Sequence, residues 1–390
     1  MATIHTDVLI IGGGVMGSSA AYFLKTLDSA LEVTVIEPDP EYHDAATPKA
    51  SGGVRRLFSC PENILMSQFS IAFYEQFAER MAVSGAAPDI GLDQQGYLFI
   101  ASDRGRTALE ANYDVQRRLG ANVHLIEPVE LASRFPSLHT DDLALAVLSP
   151  DDGWLDPTAV LHGITNKARS LGARYLIDKV VGLTREQSRV VSAELMSGGE
   201  IRANTFINTA GAWAYQLCEL VGMPIPVRPM RRFEHYFECR QRIEPMPFIK
   251  DPQGLALRPN GRGYSGGVVD TREPRGFNNA IDERYFDDVV RPAFVHRIPA
   301  FREIESVQTW TGHYDQNSLD GNMIIGSWPD QVDNLLIAAG FSGHGLMHAP
   351  AVGRALAELA LYHEFRSIDL TRMGYQRVVA QQPYREAGIV

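Results

Sequence analysis

Short, uninterrupted apolar runs separated by longer amphipathic stretches set the grain of this chain of 390 residues. Val8-Leu9-Ile10-Ile11, Val33-Thr34-Val35-Ile36, Thr205-Phe206-Ile207-Asn208 and Leu335-Leu336-Ile337-Ala338-Ala339 are too short for buried helices, so they predict strands of a central sheet. Helical spacing fills the intervals. Val15 to Leu27 presents Ala20, Ala21, Phe23 and Leu24 to one side, and the stretch after Pro61 repeats Leu65, Phe69, Phe73 and Phe77 every four residues, a stripe that predicts core. Thr107 to Leu119 reads as another helix. A further one opens at Asp156-Pro157 and closes at Gly172, with an acid in the capping position and proline in the first turn. A long helix to about Phe365 follows Gly340 to Gly345.

Two-residue alternation marks the remaining segments. Tyr97 to Ile100 predicts a strand, and strands on either side of Ser197-Gly198-Gly199 predict a hairpin. Pro224 to about Trp310 is proline-rich, with short alternating runs such as Glu234 to Glu238, and reads as a lobe inserted into the main sheet domain.

The turn after the first apolar run carries the chemistry. Gly12-Gly13-Gly14-Val15-Met16-Gly17 follows a strand and opens a helix, and Glu37 ends the next strand twenty residues later. This is the pattern of a dinucleotide site: Gly12 for a tight turn, Gly14 for close approach of a pyrophosphate, Gly17 for packing of helix on sheet. The phosphates would meet free N–H groups and the positive end of the helix dipole. Glu37 would accept from ribose hydroxyls and would repel the extra phosphate of NADP. Gly261-Arg262-Gly263-Tyr264-Ser265-Gly266 has the same spacing but no helix after it, and Asn260-Gly261 predicts a hairpin turn instead. Two later glycine turns, Ala210-Gly211 and Gly340 to Gly345, also follow buried strands. Ligands of open α/β sheets collect at such strand ends, so three turns together suit a cofactor as long as FAD.

Composition narrows the partners. Lys plus Arg number 36 against 47 Asp plus Glu, a net charge of −11 that argues against nucleic-acid or anionic-membrane partners. Three scattered cysteines imply neither a disulfide framework nor zinc, and suit a reducing compartment. With a first strand near Asp7, no targeting peptide and no membrane span are expected, and a cytoplasmic protein is the reading. His344 and His348 have metalloprotease spacing without its glutamate, and Ser342 misses the nucleophile-elbow spacing, so metal and hydrolase readings drop away.

Ser51-Gly52-Gly53-Val54-Arg55, Asp152 to Pro157, Ile207 to Ala214, Pro226 to Arg232 and Gly340 to Leu346 resemble, in order, segments of the D-amino-acid oxidase / sarcosine oxidase (DAO) family. Gly312 to Asp320 and Gly340 to Pro350 are most similar to the branch containing the mitochondrial FAD-dependent oxidoreductase that assists respiratory complex I assembly. The resemblance implies an α/β fold of α+β type: a glutathione-reductase-like, Rossmann FAD domain from residues 1–85, 145–225 and 315–390. A mostly antiparallel substrate sheet would come from 86–144 and 226–314.

In that fold FAD would run from Glu37 over Gly12, Gly14, Val15, Met16 and Gly17. Its ring would lie between Ser51, Gly52, Gly53 and Arg55 on one side and Gly343, His344, Gly345 and Leu346 on the other. Ala210, Gly211 and Trp213 would line the path, and Val181, or Val180 beside it, would meet the adenine. The implied reaction removes hydride from a carbon bonded to an amine nitrogen, giving an imine that water hydrolyses. Tyr314 falls where sarcosine oxidases keep an active-site tyrosine, and Arg55 where they keep an arginine near the flavin; His344 belongs to the same catalytic group.

Departures qualify the substrate. Met347 replaces the lysine that grips the substrate carboxylate, Gly263 to Val269 offers no counterpart to the lysine used with oxygen, and Gly312 replaces the flavin-linking cysteine, which implies non-covalent FAD. Arg258, Arg232 or His348 are the candidate replacement cations. A small-molecule amine or amino acid is the expected partner, with a homo-oligomer or hetero-oligomeric subunit left open. The contrasting readings are an assembly scaffold with structural FAD and an NAD-dependent dehydrogenase.

Overall fold

In a computed structural model, which describes residues 3–241, 243–270 and 272–388, the four apolar runs become neighbouring strands of one sheet. Its path runs Ile324–Trp328, Val332–Ala339, Glu200–Asn208, Ile4–Ile11, Val33–Glu37 and Arg174–Ile177, with the Val180–Glu186 and Arg189–Leu195 hairpin attached to Glu200–Asn208. The inner four strands and Arg174–Ile177 are parallel. Ile11 stands opposite both Ile36 and Asn208, and Asn208 opposite Ile337, so four carboxyl ends open on one edge. That edge is where a ligand must sit.

The predicted helices form and cover this sheet. Val15–Leu27 buries every residue from Val15 to Lys25 and packs against Gly345–Tyr362. A Cβ on Gly353 would lie 2.4 Å from Ser19 Cβ, so that glycine sets how closely the two helices approach. Pro157–Ser170 opens on Asp156, whose carboxylate accepts from the amides of Thr158 and Ala159, an N-cap worth about 1 kcal/mol. The aromatic stripe is core only in part. The helix Pro61–Glu75 breaks at Gln76, Phe73 and Phe77 are buried, Phe69 is half-buried, and Leu65 is 36% exposed. A strict four-residue repeat drifts around a helix of 3.6 residues per turn, and its first member has turned to solvent.

The inserted lobe is a second eight-stranded sheet: Ile304–Asn317, Val227–Cys239, Gly263–Val268, Leu255–Asn260, Phe248–Lys250, Tyr97–Ala101, Leu145–Ser149 and His124–Ile126. All its pairings are antiparallel except Phe248–Lys250 with Tyr97–Ala101. Leu145–Ser149 therefore belongs to this sheet, although residue 145 opened a segment assigned to the nucleotide domain. The Leu255–Asn260 and Gly263–Val268 strands turn at Gly261, with φ +58°, as the asparagine–glycine pair predicted. The two-stranded ladder of Gly53–Val54 with Gly153–Trp154 adds a third small sheet.

Candidate functional site

A cavity of about 810 Å³ runs from the carboxyl edge of the first sheet to one face of the second. At its nucleotide end Gly12 turns the chain with φ +101°, and a Cβ there would lie 2.6 Å from the Thr209 carbonyl oxygen. Gly17 packs as expected and not on the cavity wall: its added Cβ would sit 1.9 Å from Gly12 O. Gly14 differs. Nothing lies within 4 Å of an added Cβ, so the need for glycine there points to a ligand rather than to the protein's own packing. Thr209 Oγ1 donates to Gly12 O at 2.9 Å and Tyr42 Oη to Gly13 O at 3.0 Å, which fix the loop from both sides. Glu37 accepts from Gly13 N at 2.8 Å and Asp39 N at 3.0 Å, and burial raises its pKa despite those bonds.

The other end is built by tying distant loops together. Asp152 accepts from Arg56 N at 2.7 Å and pairs with its guanidinium at 2.8 Å, clamping the Ser51–Arg55 loop to the Gly153–Trp154 strand. Burial pushes the Asp152 pKa up to about 6, opposed by Arg56. Asp315 accepts from the amides of Gly340 at 2.7 Å and Phe341 at 3.2 Å and so holds the second glycine loop; burial raises it to about 6 as well. Gly343, φ +98°, lies flat under Tyr314, where a Cβ would come within 2.6 Å of the ring.

Arg55 is 1% exposed. It donates to Leu57 O, lies 3.2 Å from His344 Nε2, and has Cζ 3.9 Å from the centroid of the Phe58 ring, while its Nε is enclosed without a partner among the described residues. A buried donor left unmade costs about 1–3 kcal/mol. Such a cost marks a group held ready for a ligand. Burial and the Arg55 charge keep His344 well below the usual imidazole range, hence neutral. The amino end of Gly345–Tyr362 opens beside it, aiming a helix dipole at the same place.

Most expected residues meet here. Gly12, Gly14, Val15, Met16 and Glu37 line one end; Ala210, Gly211 and Trp213 line the path; Ser51, Gly52, Gly53, Arg55, Tyr314 and Gly343 through Met347 line the other. Three do not. Val181 is 47% exposed, and Val180 lines the cavity instead, because neighbouring strand residues face opposite ways. Arg258 lies behind the wall, donating to Ser51 O at 2.6 Å and Pro259 O at 2.9 Å. His348 is buried against Ser67 Oγ at 3.1 Å, with its pKa pressed down to about 3 by burial.

Several cavity groups carried no sequence motif. Glu234 and Lys250 face it from the second sheet, each pushed to about 7, the acid upward and the amine downward, first of all by burial. Tyr97 and Phe248, stacked at 4.4 Å, line it too and pack against Gly53. The one available signal was a pair of charged residues alternating with buried ones along a strand, Arg232 and Glu234 on the phase opposite His235 and Phe237. Among the described residues no helix is long and apolar enough to cross a membrane.

A nucleotide loop on a parallel sheet, joined by one cavity to an antiparallel sheet with a buried arginine, defines a flavin-dependent oxidoreductase of two-sheet architecture. Residues 7–359 match the family model described as DAO, FAD dependent oxidoreductase, and the chain belongs to that family. Its cofactor is FAD, and the open Gly14 cradle, the Glu37 end and the glycine-lined ring end fit it. The chain is 36% identical to FAD-dependent oxidoreductase domain-containing protein 1 of Xenopus laevis, covering 99% of this chain and 85% of that one. It is 26% identical to mitochondrial dimethylglycine dehydrogenase of Homo sapiens, over 98% of this chain and 46% of that protein. The structure of L-proline dehydrogenase from P. horikoshii superposes with TM-score 0.86 at 25% identity, covering 98% of this chain and all of the other.

Proposed function

We propose that this protein oxidises the carbon–nitrogen bond of an amino acid or of a secondary, N-alkylated amine. FAD held by the Gly12–Gly17 turn, Glu37 and the Ser51–Arg55 and Gly343–Leu346 loops would supply the two-electron acceptor for a hydride from the carbon beside nitrogen, and water would convert the resulting imine to a carbonyl compound and an amine. The observation that carries the reading is the enclosed end of the cavity, where Arg55, Tyr314 and neutral His344 meet the amino end of the Gly345–Tyr362 helix. Two similar proteins are named for N-substituted amino acids, dimethylglycine and L-proline.

The roles follow from position. Buried Arg55 and the helix amino end stabilise negative charge gathering at the ring edge, a term worth several kcal/mol in a dry site. Tyr314 orients the amine or carboxylate through its hydroxyl, and the stacked Tyr97 and Phe248 rings of the cavity wall exclude water. His344 stays neutral and adds no second cation beside Arg55. Met347 is apolar and lines the cavity, so the carboxylate is met by another cation, of which Arg232 and Lys250 are on the wall. No lysine or cysteine side chain is needed to hold FAD, which we take to be non-covalent.

Anaerobic mixing of the FAD-loaded protein with a panel of primary, secondary and N-methylated amino acids tests this. Bleaching of the oxidised flavin band by at least one amine, with release of the matching carbonyl compound, is the expected result. A flavin that dithionite reduces but no amine bleaches would leave the cofactor in a scaffold role and end the oxidation reading.

A further inference from the structure

The cavity face of the second sheet carries more positive charge than an ordinary amino acid can use. Arg232 and Glu234 lie two residues apart on Val227–Cys239 and so face the same way, and Tyr314 opposite Met230 shares that face. All three line the cavity with Lys250. The surface that Glu234 keeps opens to this cavity, while its Oε1 is fully enclosed without a hydrogen-bond partner among the described residues. Arg232 donates only to the carbonyls of Arg231 at 3.2 Å and Asp270 at 2.9 Å, and its Nε is enclosed with no partner among the described residues.

Buried charges in proteins are normally paired. Here two guanidinium groups, Arg55 and Arg232, bond to backbone carbonyls or His344 and make no ion pair with a carboxylate among the described residues, whereas Arg258, behind the wall, is balanced chiefly by Glu234. Of the other acids on the cavity wall, Asp315 holds the glycine loop, Glu386 holds Ser59 and Cys60, Asp320 pairs with Arg377, and Glu37 and Asp39 bond to backbone amides at the nucleotide end. Arg55 belongs to the ring end, with His344. An amino acid with one carboxylate and one ammonium is neutral and would leave the excess in place.

Resting on the amine-oxidation reading, we infer that the substrate is an amino acid with two acidic groups flanking its amine, with its ammonium seated on Glu234 and its acids taken by Arg232 and Lys250. The ammonium gives its proton to the Glu234 carboxylate, leaving the neutral amine whose lone pair assists departure of hydride from the adjacent carbon to FAD. Glu234 gains one proton, the substrate loses one proton and one hydride, and the protonated imine results, which water hydrolyses.

Four near-isosteric ligands separate the two charges: iminodiacetate, with two acids and an ammonium; diglycolate, with two acids and an ether; sarcosine, with one acid and an ammonium; and methoxyacetate, with one acid and an ether. Each is titrated anaerobically into the oxidised, FAD-loaded full chain, with perturbation of the flavin spectrum as the readout. The second acid is expected to tighten binding about tenfold or more, between the two ethers as well as between the two amines, as for a buried charge pair. Arg232→Gln removes that gain for both pairs, and Glu234→Gln removes only the advantage of each ammonium over its ether, iminodiacetate over diglycolate and sarcosine over methoxyacetate. Methoxyacetate binding as tightly as diglycolate, or an Arg232→Gln protein that keeps the full gain, overturns the inference. So does a flavin spectrum that none of the four ligands perturbs. The ethers cannot be oxidised, so their preference is read independently of whether any amine bleaches the flavin.

Discussion

The two ends of the cavity recognise their ligands by different means. At the nucleotide end the chain presents backbone: a glycine turn, exposed amides and a helix dipole, with Glu37 as the main charged side chain and Gly14 facing open space. At the ring and substrate end it presents side chains: Arg55, Arg232, Glu234, Lys250 and Tyr314, delivered by strands and loops far apart in sequence. Backbone recognition suits a pyrophosphate, which is the same in every cofactor molecule, whereas side-chain charge can be altered without rebuilding a turn. The cofactor end therefore stays tied to local sequence, and substrate choice rests on the second sheet.

Substitutions at either end should separate the two modes of recognition. Arg55→Met has the largest expected effect, a fall of roughly 10²–10³ in the rate of flavin reduction by substrate, with FAD content retained, measured by anaerobic stopped flow. An unchanged rate would remove Arg55 from the chemistry. Gly14→Val follows: its side chain enters space that the protein leaves open, so folding is unaffected while FAD affinity drops by about 3 kcal/mol, roughly a hundredfold. Loss of Tm in the FAD-free protein would show instead that Gly14 serves packing. Asp315→Ala strips the acceptor from two amides and is expected to cost about 2 kcal/mol in chemical unfolding of the holoprotein.

A pH series sharpens the substrate end. Burial and the charges of Arg55 and Arg232 hold Lys250 down to about 7, with Glu234 opposing and neutral His344 nearby. As pH rises through about 7 Lys250 loses its positive charge and Glu234 gains a negative one, so diglycolate affinity is level below that pH and falls above it, by at most about tenfold per unit for each group. Lys250→Met removes the lysine's share of this limb, and Glu234→Gln the rest. An unaltered limb in both variants would assign the titration to another group. The smallest effect belongs to Val181→Ser, expected to change FAD affinity by less than about 0.5 kcal/mol because the side chain points to solvent, in contrast to Val180→Asp at the cavity wall.

What the sequence made legible follows the same division. Buried parallel strands read directly because both faces are apolar, and Gly12, Gly14, Gly17 and Glu37 read as a group because one strand–turn–helix unit holds them. Val181 was misplaced by a single residue, the distance that reverses a strand's facing. Asp152 and Asp315 clamp loops through backbone amides, and no spacing rule announces such partners. Lys250 ends a short apolar strand in a region whose register is set by Tyr97–Ala101, some 150 residues earlier. Only folding brings it to Glu234. Its place in the site is a fact of sheet topology, invisible to local pattern.

The most direct test of the central claim is a crystal structure of the FAD-loaded protein with diglycolate bound. The account predicts pyrophosphate over Gly12 to Gly17, the isoalloxazine between Ser51–Arg55 and Gly343–Leu346, and one ligand carboxylate on Arg232. An isoalloxazine held away from Arg55, or a ligand seated without contact to Arg232, would contradict it.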